Sequence, residues 1–287
     1  MQSVSPALLT LLALAAGAAP ARAACDDKCL EGIMDGYLAQ LVRHDPTPLP
    51  AAPGVISREN GEDVKLGAGG WTLITKVYPG QTFADASAGQ IVHIGAVEIS
   101  AKTGALFLRL KIVNRKIVES EMLSRGGEPG FKSDVSGLLE PDILYDAIVP
   151  PARRSTRAEL IAVVGHYAEA LGKHDGSLAS FSYRCDRYSA GSKFTNTTKP
   201  GQTGGSVTCE SSINGLTGQA VANLRLPVIE PERGVVAALF IIPHGERQPP
   251  GATNVAEIFK IVDGKIRSIE EFGYPGKYPP SSGFPDP

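Results

Sequence analysis

Several signatures are missing from this 287-residue chain, and each absence narrows what it can do. There is no Gly-x-Ser-x-Gly, no Walker loop, no His-Glu-x-x-His and no Gly-x-Gly-x-x-Gly. The familiar serine-hydrolase, nucleotide, zinc-protease and dinucleotide readings therefore lack their motifs. No Cys-x2-Cys pair occurs, and no His sits at ligand spacing from a Cys, so no metal site is expected. Excess charge is missing too. The formal net charge is −2, which gives no electrostatic footprint for nucleic acid or an anionic membrane. No apolar run is long enough to span a bilayer.

What is present is a globular composition, 43% hydrophobic and 20% charged, with 32 Gly and 22 Pro that suggest many turns. Residues 7–19 (ALLTLLALAAGAA) form a short apolar run followed by Ala21-Arg22-Ala23, a small-x-small cleavage pattern. This reads as a secretory leader over 1–23, with export to the periplasm or outside. Arg22 stands where a lipobox has an aliphatic residue, which argues against lipidation of Cys25. An oxidising destination makes the four cysteines readable as two disulfides. Cys25 with Cys29 and Cys185 with Cys209 is the simplest of three connectivities. Closing the longer loop stabilises by roughly 3 kcal/mol.

Two stretches organise the rest. Residues 259–272 read FKIVDGKIRSIEEF, with apolar alternation on both sides of Asp263-Gly264, a strong hairpin signal. Residues 110–123 read LKIVNRKIVESEML. Upstream, apolar positions Leu30, Ile33, Met34, Tyr37, Leu38 and Leu41 mark one helix face, with Asp26 or Asp27 as cap. At an offset of 130 residues these become Leu160, Val163, Val164, Tyr167, Ala168 and Leu171, behind a Thr156/Glu159 capping box. His44-Asp45 falls on His174-Asp175, and Gly61 on Gly191, at the same offset. The hairpins are 149 apart, so the second copy carries insertions, expected at 199–206 and 247–253. Between helix and hairpin, strands are expected at 70–78, 89–98 and 104–113, then at 206–213, 219–227, 234–242 and 255–262. The plan is α+β, one unit twice: 24–125, a linker 126–155, 156–273, and an extended surface tail 274–287. Each unit is an N-terminal helix packed on a curved antiparallel sheet. The two units are expected to pack on each other.

The helix-then-sheet unit, with Asp ending the first helix and KIVDGKIRSIE as the last strand, resembles the nuclear-transport-factor-2-like cones. That superfamily is cystatin-like in fold and includes ketosteroid isomerase, scytalone dehydratase and the SnoaL-like cyclases. More narrowly, the mature chain looks like a family of secreted bacterial and fungal proteins carrying a domain of unknown function. The residues that carry this are Cys-x3-Cys, Arg58-Glu59-Asn60-Gly61, Tyr183-Arg184-Cys185-Asp186-Arg187, Arg225-Leu226-Pro227-Val228 with Glu232-Arg233-Gly234, and Glu257-Ile258-Phe259-Lys260-Ile261. The resemblance implies two tandem cones and export; no established activity comes with it.

Candidate chemistry follows from residues that need a reason for their position. His93 sits mid-strand among β-branched neighbours; facing the cone it is a general base, with Glu98 and Arg109 to orient it or bind an anion. The alternative is an outward-facing His. Tyr37 and Tyr167 lie on the buried helix faces and could donate to a substrate oxygen, or be core tyrosines. His44-Asp45 and His174-Asp175 look like dyads but suit helix ends better. Arg187, Arg225 and Glu257 either pair structurally or read a ligand carboxylate with Glu257 as acid or base. Glu121 and Glu270 are expected on an exposed face. The reading is an exported protein that binds a small organic molecule, with no cofactor. The alternatives are a cofactor-free lyase, isomerase or cyclase, and a structural or interaction module. Asn196-Thr197-Thr198 is a sequon, meaningful only in a eukaryotic secretory pathway.

Overall fold

The computed structural model describes residues 25–126, 134–197, 207–214, 220–244, 251–276 and 284. The leader, the loop at 199–206, most of 247–253 and the tail beyond residue 276, apart from Phe284, lie outside the described residues. Residues 274–276, expected to open the tail, instead continue the last strand.

Helix α1 (Asp27–Arg43) starts where Asp26 accepts a hydrogen bond from the Cys29 amide. It buries Leu30, Met34, Tyr37 and Leu41 and stops at His44, which takes a left-handed φ of 58°. After α1 come β1 (Ala51–Glu59), β2 (Glu62–Asp63), β3 (Ile74–Val77), β4 (Gln81–Asp85), β5 (Gln90–Ile99), β6 (Lys102–Val113) and β7 (Lys116–Arg125). A short helix α2 (Ser136–Leu139) leads to α3 (Arg157–Lys173), whose Thr156/Glu159 capping box is complete and whose end, His174, has φ 54°. Then follow β8 (Phe181–Ser189), β9 (Ser192–Lys193), α4 (Cys209–Asn214), β10 (Ala222–Glu230), β11 (Val235–Pro243), β12 (Ala252–Val262) and β13 (Lys265–Gly276).

The first sheet runs β2-β1-β7-β6-β5, with β3 and β4 both pairing with β5; the second runs β9-β8-β13-β12-β11-β10. The order is the same in both. The sheets are mixed rather than antiparallel, because β1 lies parallel to β7 and β8 parallel to β13. The strand that leaves each helix docks beside the last strand of its unit, and a strand reached by that crossover runs with its neighbour rather than against it. Neither β1 nor β8 stands out in the sequence. β1 contains Pro53-Gly54 and slips register between Ala51 and Ile56, and β8 (FSYRCDRYS) is polar.

Two expected strands differ. Residues 69–72 form a 3-10 turn that seats buried Trp71, so the strand there is only Ile74–Val77. Where a strand is expected at 206–213, Cys209–Asn214 is helical: Thr208 and Ser211 cap one another through side chain and backbone, and Cys209 is held to Cys185. Local Ser/Thr capping outweighs weak strand propensity at that point. Both disulfides, Cys25–Cys29 and Cys185–Cys209, are formed.

The two hairpins are alike in detail. Asn114-Arg115 (φ 52° and 61°) and Asp263-Gly264 (54° and 67°) have both central residues left-handed, the type I′ geometry that suits strand twist. Each is preceded by a bulge, at Lys111/Ile112 and Lys260/Ile261. Alternation then splits each sheet into two faces. Leu106, Leu108 and Leu110 pack with α1, while Ala105 and Phe107 turn the other way. In the second sheet Val236, Ala238 and Phe259 pack with α3, while Val235, Ala237 and Ile258 turn away. The faces turned away from the helices, together with Val135, Leu138 and Tyr145 from the segment between the units, make one buried cluster.

Candidate functional site

The helix-facing side of the second sheet holds a buried charged cluster. Tyr167, from the middle of α3, donates from its hydroxyl to Glu257 Oε1 on β12 at 2.7 Å. Arg187 on β8 reaches Glu257 Oε1 at 3.5 Å and Glu271 on β13 at 2.9 Å, and donates to Ser212 Oγ at 2.8 Å. Aromatic rings wall it in. Phe259 lies 4.9 Å from the Tyr167 ring, Phe181 6.2 Å, and Arg187 sits 5.1 Å from the centre of Phe194. Three candidates, Tyr167, Glu257 and Arg187, thus meet at one place, and Glu257 is 1% exposed.

Burial dominates the electrostatics here. Desolvation, only partly opposed by Arg187, pushes Glu257 up to about 8. The Tyr167 hydroxyl is raised by burial and then by the Glu257 and Glu271 charges, with Arg187 opposing. Arg187 is held protonated: burial works against its charge, but Tyr167, Glu271 and Glu257 more than offset that. Two buried atoms of the cluster find no partner among the described residues, Arg187 Nε and Glu257 Oε2. With the Glu257 proton on Oε2, both are donors.

The first unit treats its equivalents differently. The Tyr37 hydroxyl shares a 2.8 Å hydrogen bond with Ser120 Oγ and accepts from Trp71 Nε1 at 3.0 Å. Burial pushes it up to about 12. At the offsets of helix and hairpin, Glu257 corresponds to Leu108, Arg187 to Ser57 and Glu271 to Met122. Among the described residues the charged cluster belongs to the second unit alone.

His93 does face α1, because Ile91 and Val97 of the same strand series pack there. It lines a groove of about 540 Å³ with Asp35, Leu38, Val42, Tyr78 and Gly80. Its Nδ1 is 2.9 Å from Thr82 Oγ1, its Nε2 has no partner, and burial pushes its pKa down to about 4. The ring fits only because residue 80 is glycine: a Cβ there would come within 2.7 Å of His93 Cε1. Its expected helpers are elsewhere. Arg109 pairs in register with Val92, on the opposite face of the sheet, and Glu98 accepts from Thr75 at the strand end. Nor does Tyr37, tied to Ser120 and Trp71, reach His93.

Arg109 and Arg225 form a separate network between the units. Arg109 donates to Glu121 at 2.8 Å, Glu119 at 2.6 Å and Gln90 at 2.6 Å. Arg225 grips Glu121 with both terminal nitrogens, at 2.8 and 2.7 Å. Burial alone would raise Glu121, but the two guanidinium groups hold it below the usual range. Arg225 therefore meets a carboxylate of the other unit, and does not meet Glu257. Glu121 and Glu270, expected on an exposed face, are 7% and 9% exposed. The faces that a lone sheet would show to water are covered by the partner unit. The tail is not merely spread on the surface either: the Phe284 ring centre lies 4.7 Å from the Arg109 guanidinium and 5.4 Å from that of Arg225. His44-Asp45 and His174-Asp175 are turn residues, with Asp45 accepting from Thr47 and Asp175 from Ser177. Asn196 uses its amide on Cys185 O and Asp186, at 2.6 and 2.8 Å.

Sequence reasoning missed Glu271, Ser212 and Trp71. Glu271 had a usable signal. In Ser-Ile-Glu-Glu-Phe the strand period puts Glu270 and Glu271 on opposite faces, so one of them had to join Ile269 beneath the helix. Among the described residues no group of three His, Cys, Asp or Glu is placed to hold a metal, and no helix is long and apolar enough to cross a membrane.

No curated protein matches the chain. Residues 153–273, less than half of it, match a family described as Domain of unknown function (DUF8021). Solved structures similar to part of the chain include a protein of unknown function with cystatin-like fold from Methylobium petroleophilum PM1. It is 16% identical, with 46% of this chain and 84% of that chain covered and a TM-score of 0.30. An NTF2-like protein of unknown function from Shewanella baltica OS155 is 14% identical, covering 42% and 94%, with a TM-score of 0.27. PrhC from Penicillium brasilianum is 14% identical, covering 42% and 82%, with a TM-score of 0.31.

Proposed function

We propose that the chain binds a small organic molecule inside its second unit, through Tyr167, Glu257 and Arg187. The observation that carries this is a pair of buried atoms without a partner among the described residues, Glu257 Oε2 and Arg187 Nε; with Glu257 raised to about 8, both are donors at neutral pH. Leaving such groups unmade costs about 1–3 kcal/mol each, and a ligand oxygen restores that. Two donors with no free acceptor select a carbonyl or similar acceptor oxygen, with the apolar body of the ligand against Phe181 and Phe259. The test is a thermal-shift screen of small ketones, lactones and amides. Stabilising compounds are expected for the wild type and for Tyr37→Phe, and loss of the shift in Glu257→Leu. If Glu257→Leu folds and responds to the same compounds as the wild type, the site is wrong.

A second reading has its own observation. Glu257, at about 8, keeps its proton at neutral pH beside Tyr167. A carboxylic acid so placed protonates or polarises a carbonyl oxygen, and would serve a cofactor-free isomerase, lyase or cyclase. Turnover of a screened ligand, abolished in Glu257→Gln with binding kept, separates catalysis from binding alone.

Around this site we read the chain as an exported tandem of two cones of the nuclear-transport-factor-2-like kind. The leader is 1–23, the cones are 24–125 and 156–273, the linker is 126–155 and the tail is 274–287. The shared strand order and the matched helices and hairpins support the duplication, and the two disulfides fit an oxidising compartment. In this reading the two units pack through their sheet faces, replacing the contact that separate single cones make as dimers. Mass measurement of the mature secreted chain tests the leader: a start near Ala24 is expected.

A further inference from the structure

A second cavity, of about 290 Å³, lies where the segment between the units crosses the two sheets. Ile94 comes from the first sheet, Tyr188 and Glu270 from the second, and Leu138, Asp142 and Tyr145 from the crossing segment. Its charges have one sign. Glu270, Asp142 and, at the rim, Glu140 line it, and no Lys, Arg or His does. Close packing seals one wall: a Cβ on Gly191 would fall 2.6 Å from Leu138 N, and one on Gly137 2.1 Å from Gly191 O. Glu270 is 9% exposed. Its Oε1 accepts from Gly191 N at 2.8 Å.

We propose that this cavity binds a small organic cation, an alkylammonium or quaternary ammonium group, with Glu270 as counter-ion and the Tyr145 and Tyr188 rings as walls. Carboxylates together with aromatic faces are the surroundings a desolvated ammonium needs. The nearest buried amine does not fill that role. The Lys260 ammonium is turned to the carbonyl oxygens of Ala147 and Arg233. A divalent metal fits less well, since no three acidic or imidazole ligands converge. The electrostatics agree. Burial first, then the charges of Glu271 on its own strand and Asp142 on the crossing segment, push Glu270 up to about 8 against the Gly191 hydrogen bond. Asp186, Asp142 and Glu270 add to burial in raising Tyr188 to about 12, and burial with Glu270, Asp142 and Tyr188 raises Tyr145. A cation placed among them relieves the repulsion.

The test is calorimetric titration of the full chain with butylammonium chloride, and with 1-butanol as the neutral analogue. The ammonium is expected to bind at least about tenfold more tightly than the alcohol. Glu270→Gln, which keeps an acceptor for Gly191, is expected to lower that affinity by about tenfold or more. The wild type gives an independent readout. At pH 7 the cation displaces the Glu270 proton, so binding heats in phosphate and Tris must differ by the proton released. Equal affinity for ammonium and alcohol, no proton release, or calcium binding at this site in place of the amine each overturns the proposal.

Discussion

Replacing Glu257 by glutamine separates two descriptions of the buried cluster. Burial, opposed in part by Arg187, lifts this carboxyl from 4.5 to about 8. An acid raised on folding is protonated in the native state and ionised in the unfolded chain between those values. Its contribution is complete below pH 4.5 and is lost as the pH rises through about 8. At about 1.4 kcal/mol per pH unit, the loss is roughly 3 kcal/mol at pH 7 and about 5 kcal/mol above pH 8. Glutamine has the same shape, stays neutral, and still accepts from the Tyr167 hydroxyl. The variant is expected within about 1 kcal/mol of the wild type near pH 4.5 and more stable by roughly 3 kcal/mol at pH 7. Urea unfolding at several pH values reads the difference. Glu270, also raised to about 8, slopes both proteins alike and cancels. A variant less stable by about 3–5 kcal/mol at every pH would refute the reasoning, because that is the mark of an ionised Glu257 paired with Arg187.

Removing the Arg225 fork leaves Glu121 buried with only Arg109, so Arg225→Ala is expected to lose about 3–5 kcal/mol. A double-mutant cycle with Glu121→Gln should show strong coupling, and additive losses would mean the bridge does not hold the units together. Depressed to about 4 by burial, His93 is expected to stay neutral in the native state well below its usual titration. It contributes stability above pH 6.5 that is lost as the pH falls toward 4. An imidazole NMR resonance titrating near 6.5 would place the ring in water instead. Replacing Cys185 and Cys209 together by serine is expected to cost roughly 3 kcal/mol in the chain-entropy picture, measured as a lower urea midpoint, with a slope no smaller than that of the wild type because the unlinked unfolded chain exposes more surface.

How much of this was legible depends on range. The two long helices were, because caps and face periodicity are written within a few residues: Asp26, Thr156-x-x-Glu159 and the Tyr37/Tyr167 stripe; the short helix at Cys209–Asn214, expected as a strand, was not. The hairpins were, because Asn114-Arg115 and Asp263-Gly264 fix the turn locally. The parallel partners β1 and β8 were not, since their strand character comes from the last strand they dock against. Arg225 could be seen to need a carboxylate, but Glu121 lies 104 residues away in the other unit, and no local pattern names it. The same holds for Glu270, whose burial comes from Tyr145 and Asp142 crossing above it. At these charged contacts between the units, the sequence showed a charge in a strand and withheld its partner.

The two units differ at matching positions. Both keep a helix tyrosine at one position, but they satisfy it differently. Tyr37 is closed by Ser120 and Trp71, and nearby Glu59 is spent on Gly70 N at 2.7 Å and Ser124 at 3.0 Å. Tyr167 faces Glu257 and Arg187, each with a buried atom left over. Stability alone does not explain the second arrangement. Leu108 and Met122 show that the same positions accept well-packed apolar side chains, and such replacements of buried ion pairs are commonly neutral or stabilising. A cluster that pushes one carboxyl to about 8 and leaves two donors unmade therefore needs another reason to persist, and the proposed ligand contact would supply one.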